Sequence, residues 1–217
     1  DWYGARERKL MAQGQNTKER ILKTAQRQVL ERGFSATSLD NIIQATGVTK
    51  GAFFHHFRSK ADLAEQLIES FAEQDFALFD EWDRRAEALS DDPYQALILF
   101  LKLFEEWLDS LHQPFPGCLF AVYVYENTLF DDNVNGFVRK SLENWQKYYE
   151  RKFAAVIAVR KPKLEVSAPE LAESIVSLLE GAFILARSGE QPELISRQSR
   201  LFRGYVKLLF DDDSVAA

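Results

Sequence analysis

The chemically capable residues of this chain gather in one stretch and are scattered elsewhere. Between Thr37 and Lys60, the run TSLDNIIQATGVTKGAFFHHFRSK brings together hydroxyls, two lysines, an arginine and a pair of adjacent histidines. Residues of these types at this density suit hydrogen bonds and ion pairs to phosphates and base edges. His55-His56 could also bind a metal. Adjacent helix positions do not face each other, however, and zinc needs three or four converging ligands. No cysteine or acid stands at that spacing, so no metal is expected. Cys118 is the single cysteine, which excludes an internal disulfide. Two readings of it stand: a redox or electrophile sensor activated at a helix start, or an inert core thiol. His112, alone before Pro114, suits a surface or helix end. There is no Glu-x-x-His pair of the di-iron kind, no phosphate loop and no nucleophile with a partner. No enzymatic activity and no cofactor are expected.

The elements around that stretch would hold it in place. Ile21, Leu22, Ala25 and Val29 recur at helical spacing, predicting a helix over 17–32 that ends at Gly33. Thr37-Ser38-Leu39-Asp40 has capping-box form and opens a second helix with Leu39, Ile42 and Ile43 inward. Gly47 and Val48 turn the chain. Thr49 caps a third helix over 50–57, the spacing of a helix-turn-helix reader of the major groove. Ser59-Lys60-Ala61-Asp62 opens a fourth helix running to about Leu89. Asp92-Pro93 opens a fifth. The apolar run 117–130 reads as a helix buried on nearly every side, because no partner strand is in sight. Further helices span from Asp131 or Asp132 to about Arg160, from Ser167 to Gly189, and from Pro192 onward. The expected fold is all-α, with about nine helices. Its parts are a flexible tail at 1–15, a DNA-binding head at 16–62 and a helical body at 63–217. In the tail, Arg6, Arg8 and Lys9 offer a basic arm as the other reading, and residues before Met11 are open as to whether they are native.

Charge follows this division. Residues 1–60 hold 11 Lys/Arg against 5 Asp/Glu, and the rest 16 against 28, giving the net −6. A basic head on an acidic body suits a protein whose head alone meets a polyanion. With 46% hydrophobic and 28% charged residues the chain is globular. No apolar run approaches the roughly 20 residues of a membrane span, and DWYGARERKL has no signal-peptide core. No membrane contact and a cytoplasmic location are expected.

ArgIleLeu at 20–22, Gly33-Phe34, Thr37-Ser38-Leu39, Ile42, Gly47-Val48-Thr49-Lys50-Gly51, His55-His56-Phe57 and Ser59-Lys60 together resemble the TetR/AcrR family of bacterial transcriptional regulators. PGCLF at 116–120 and LLEGAFILAR at 178–187 resemble it more weakly. The resemblance implies an Ω-shaped homodimer on a palindromic operator of double-stranded DNA. A small-molecule effector, apolar or compatible with aromatic walls, would release a repressor from that operator. Two recognition helices would lie roughly 34–36 Å apart, so a small spreading weakens both contacts together. Carried over by position, Thr49, Lys50, Gly51, Ala52 and His55 face the groove, and Thr37, Ser38, Thr49, His56 and Lys60 meet phosphate. Phe54 stands where the family often has tyrosine and Ala52 where it often has threonine. Phe54 therefore brings no hydroxyl, and Ala52 could touch a thymine methyl.

For the body, the resemblance implies an effector pocket, with Phe100, Phe104, Trp107, Cys118, Val122, Tyr125, Trp145 and Tyr149 as candidate lining. An aromatic stripe at helical spacing is also what a plain core produces. Glu126 would either select a cationic or hydrogen-bonding ligand or sit on a solvated helix face. Leu178, Gly181, Ala182, Leu185, Leu201 and Tyr205, on the last two helices, are the candidate dimer interface. Their mixture of small and large apolar residues would let helices approach across a twofold axis.

Overall fold

The structure is a computed structural model that describes residues 17–111 and 116–211. The expected tail with Arg6, Arg8, Lys9 and Met11, together with His112, Phe115 and the acidic end after Asp211, lies outside the described residues. Among the described residues there are nine α-helices, one 3-10 turn and no strand. The helices are α1 (Thr17–Arg32), α2 (Leu39–Thr46), α3 (Lys50–His56), α4 (Lys60–Glu87), α5 (Pro93–Asp109), α6 (Leu119–Tyr125), α7 (Asp132–Val159), α8 (Ala168–Ser188) and α9 (Leu194–Phe210).

Packing divides the described chain into two compact units. One holds residues 17–76 and 116–142, and the other 77–111 and 143–211. This differs from the expected 16–62 and 63–217 division, because α6 and the start of α7 pack with the head. The reason is visible in the head's core, where α1 packs on α2, α3 and α6.

Local signals set the head's boundaries. Ile21, Leu22, Ala25 and Val29 are buried, as their spacing predicts. Gly33 closes α1 at φ 86°, donating its N–H to Val29 O at 2.8 Å. Only glycine takes that left-handed conformation without a Cβ penalty. Gly47 does the same for α2 at φ 68°. The expected capping box at Thr37 does not form; a simple side-chain cap one residue later takes its place. Ser38, not Thr37, is the N-cap, accepting from Asn41 N at 3.1 Å. Thr37 is buried, and its hydroxyl donates back to Gly33 O at 2.7 Å.

The run 117–130 is corrected too. It forms a two-turn helix followed by the 3-10 turn Asn127–Leu129. Leu119, Phe120 and Tyr123 face inward, while Val124, Tyr125 and Leu129 are exposed. So short a helix offers one face to its neighbours, and its apolar composition exceeds what that face can bury.

The second unit is built on α5, α8 and α9, with α9 packed on both of the others. The capping box at Ser167 and Glu170 is complete. A bidentate ion pair joins Arg203 on α9 to buried Glu105 on α5 at 2.8–3.1 Å. Phe79, Trp82, Phe100, Phe104, Trp145 and Tyr149 are buried against one another as a ring cluster, with Phe79 and Trp145 centroids 3.9 Å apart, edge to face. No described helix is long and apolar enough to cross a membrane.

Candidate nucleic-acid interface

The short helix α3 divides its residues sharply. Phe53 and Phe57 are fully buried, and their rings pack at 5.4 Å to anchor the helix. Lys50, Gly51, Phe54 and His55 are exposed on the other side, and Ala52 and His56 are half-buried. Thr49 caps the helix, its hydroxyl accepting from Ala52 N at 3.1 Å. Phe54 leaves 49% of its surface exposed and meets the Phe53 ring edge to face. It therefore offers an apolar contact where a hydroxyl would offer a hydrogen bond. Arg20 braces the pair of helices from α1, donating to Thr46 O at the end of α2 at 2.8 Å.

Gly51 is informative because the chain does not need it. A Cβ there would meet only the Thr49 hydroxyl at 3.9 Å, and the backbone is ordinary. Glycine inside a helix costs about 0.5–1 kcal/mol relative to alanine. Nothing within the chain requires the bare backbone at this position.

Lys50 has a resting partner that its spacing did not reveal. Its ammonium lies 2.9 Å from Asp40 on α2, with side chains 70% and 75% exposed. Such a pair is worth about 0–1 kcal/mol and exchanges readily for a stronger anion.

Several expected contacts fall elsewhere. Thr37 is buried and its hydroxyl is spent on Gly33, so it is not a phosphate contact. Lys60 donates to Phe34 O at 2.8 Å and lies over the Phe34 ring. Burial lowers its pKa and the nearby Glu126 carboxylate raises it, for a net lowering. Half-buried, Lys60 is engaged with the turn between α1 and α2. Ser38, Thr49 and His55 remain on the exposed side, with His56 half-buried beside them. Among the described residues no three His, Cys, Asp or Glu gather as a metal site.

The effector candidates separate as well. Phe100, Phe104, Trp145 and Tyr149 are buried inside the ring cluster, and half-buried Trp107 stacks against Phe104 at 6.0 Å. They fill space rather than line it. Tyr125 is 75% exposed, which removes it from an enclosed pocket. Cys118 and Val122 are half-buried in the other unit.

A pocket of about 460 Å³ opens beside the cluster, with Asp83, Glu87, Asp91, Arg151 and Lys152 among its lining and Pro93, Ala96 and Leu97 supplying apolar wall. Lys152 pairs with Asp83 and lies over the Phe100 and Tyr148 rings. The Tyr148 hydroxyl is buried without a hydrogen bond of good geometry. Burial first, then the Asp83 charge, pushes its pKa up, so it stays a donor. Sequence periodicity missed this pocket because charged residues on helices ordinarily mark solvated faces.

Of the dimer candidates, Leu185 and Leu201 are 58% and 61% exposed, and Leu178, Gly181 and Tyr205 are half-buried. Ala182 is corrected: it is buried in the chain's own core. Ile184 and Leu208, not anticipated, add exposed apolar surface on the same two helices.

Known proteins match both ends of this description. Residues 21–67 match the bacterial regulatory proteins of the tetR family, and residues 93–200 match the LmrA/YxaF-like transcriptional regulator C-terminal domain. The chain is 28% identical over 185 residues to the transcriptional regulator AcuR of Cereibacter sphaeroides, covering 84% of this chain and 81% of that protein. It is 24% identical over 172 residues to the HTH-type transcriptional regulator YxaF of Bacillus subtilis, covering 79% and 85%. The regulatory protein TetR from Rhodobacter sphaeroides superposes with TM-score 0.72 at 26% identity over 86% of this chain and 97% of that one. A TetR-family regulator from Agrobacterium tumefaciens shares the fold, with TM-score 0.73 at 22% identity over 89% and 97%. With a reading head and a regulator body both matched, the chain belongs to the TetR family of DNA-binding transcriptional regulators.

Proposed function

We propose that the protein is a repressor that occupies a palindromic operator as a homodimer and leaves it when a small molecule binds the helical body. The observation that carries this reading is the outer face of α3. That face presents a lysine, a glycine the fold does not require, and His55, all anchored from behind by Phe53 and Phe57. Lys50 would donate to guanine N7/O6 or to phosphate, and Gly51 would bring the backbone close to the groove. A single seven-residue helix reads few base pairs, so a second copy supplies the other half-site. The exposed Leu185 and Leu201, with Ile184 and Leu208, give two copies an apolar face to share.

The pocket revises the effector class. The aromatic rings expected to line it are packed together, whereas the open volume has carboxylates and cations in its wall. A small polar, charge-bearing ligand suits it better than an apolar one.

The test is a mobility-shift assay of purified protein on the DNA upstream of its own gene. A shift lost on raising salt, mapping to an inverted repeat and abolished by a small charged effector, is the expected result. Absence of any shift would overturn the reading of α3. A shift that survives every small molecule tried, polar and apolar, would leave a constitutive DNA-binding protein in place of an effector-released repressor.

A further inference from the structure

We propose that Glu126, about ninety residues away in sequence from the turn that leads into the reading helices, is a positioning residue for DNA recognition; this rests on the reading of α3 given above. Glu126 ends α6, its own N–H donating to Val122 O at 3.0 Å. Its carboxylate crosses to the turn between α1 and α2. There it accepts from Phe34 N at 2.6 Å, Ser35 N at 3.2 Å and the Ser35 hydroxyl at 2.5 Å. Two successive backbone N–H groups and a hydroxyl make a concave donor set for an anion. A side chain of this same unit fills it.

The fit is close. A Cβ on Gly33 would lie 3.2 Å from Glu126 Oε1. Phe34 is buried, and its ring meets Phe130 at 5.0 Å and Tyr123 at 6.0 Å, while Tyr123 and Phe130 stack at 4.3 Å. The Tyr123 hydroxyl donates to Ala64 O at 2.8 Å. From the other side, Lys60 donates to Phe34 O at 2.8 Å. Both the N–H and the carbonyl of Phe34 are therefore held by charged side chains. That leaves the turn little freedom to rotate.

The turn matters because α2 begins directly after it. Thr37 N donates to Phe34 O at 3.2 Å, and the Ser38 cap follows at once. A shift of Phe34 and Ser35 is thus passed to α2, and through Gly47 to α3 and Lys50. An error of about an ångström in the placement of contacting groups is enough to cost a large share of their binding. Glu126 touches no nucleic acid in this account. It acts through Phe34 and Ser35.

The experiment uses the full chain with Glu126→Gln, Glu126→Ala and Ser35→Ala, titrated against the operator fragment and against random-sequence DNA of equal length. Losing a charge-assisted hydrogen-bond set should lower operator affinity by about tenfold in the glutamate variants, and about threefold in Ser35→Ala. Affinity for random DNA, which depends on phosphate contacts that tolerate looser placement, should fall by no more than about twofold, and amide exchange at Phe34 and Ser35 should quicken. A merely structural role would lower both affinities together. Should the glutamate variants fail to fold, Ser35→Ala decides the matter by the same ratio. Variants that keep the wild-type ratio of operator to random binding overturn the role of Glu126. A wild-type protein that binds neither DNA overturns the reading of α3 instead.

Discussion

The outer face of α3 and the ring cluster of the body are built from opposite principles. On α3, Lys50, Gly51, Phe54 and His55 have few obligations to the rest of the chain. In the cluster, Phe79, Phe100, Phe104, Trp145 and Tyr149 satisfy one another completely enough to be buried. Surfaces kept for a partner show themselves by what the fold does not require of them. Rings that fill their own space have no capacity left for a ligand, however suggestive their composition.

The sharpest way to break this comparison is to open the cluster. Phe100→Ala should cost about 3–5 kcal/mol of stability, measured by urea unfolding. The cavity it leaves should bind benzene, raising the variant's Tm with no effect on the wild type. A wild type already stabilised by benzene would show that the cluster holds open space. On the other face, Lys50→Ala should weaken operator binding by about 10–100-fold, or 1–3 kcal/mol. Its Tm should hold, because the ion pair it breaks is exposed. Equal operator affinity would remove Lys50 from the groove. Gly51→Ala sharpens the contrast by moving two readouts in opposite directions. Thermal unfolding should show a gain of about 0.5–1 kcal/mol, while operator titration shows a loss.

The smallest expected effect is in acid. Burial pushes the Glu126 carboxyl up, but the Ser35 hydroxyl, the Phe34 and Ser35 amides and Lys60 together bring it below its ordinary 4.5. A carboxyl depressed in the folded state stabilises fully above its unfolded value, and that contribution is lost as pH falls through the folded value. Urea titrations below pH 4.5 should therefore fall less steeply with acid for Glu126→Gln than for the wild type. Parallel curves would mean the turn does not feel this charge.

The head was legible because its signals are local. Gly33, Gly47, Ser38 and Thr49 act on backbone within a few residues, and α1 to α3 fall within a residue of their expected bounds. Thr37 misled because threonine and serine are adjacent and either can cap; which one does depends on where the other can reach. The polar pocket, the Asp40–Lys50 pair and Glu126 were not legible as such. Each joins residues brought together by tertiary packing, and spacing along one helix carries no record of a partner on another. Tyr125 and the aromatic cluster misled for a related reason. Composition shows how much apolar surface exists but not whether another ring or open space lies against it.

The Asp40–Lys50 contact also has a consequence for ion stoichiometry. A lysine that meets DNA from solution releases a condensed counterion from a phosphate, and the logarithm of affinity falls by about 0.9 per such contact for each tenfold rise in salt. Lys50 already has a counter-charge in Asp40 of α2. If Lys50 turns to DNA as proposed, Asp40 loses that cation, and the cations it then attracts from the buffer offset part of the ion release. The protein would thus hold its operator over a wider range of ionic strength than a tally of its cationic contacts suggests.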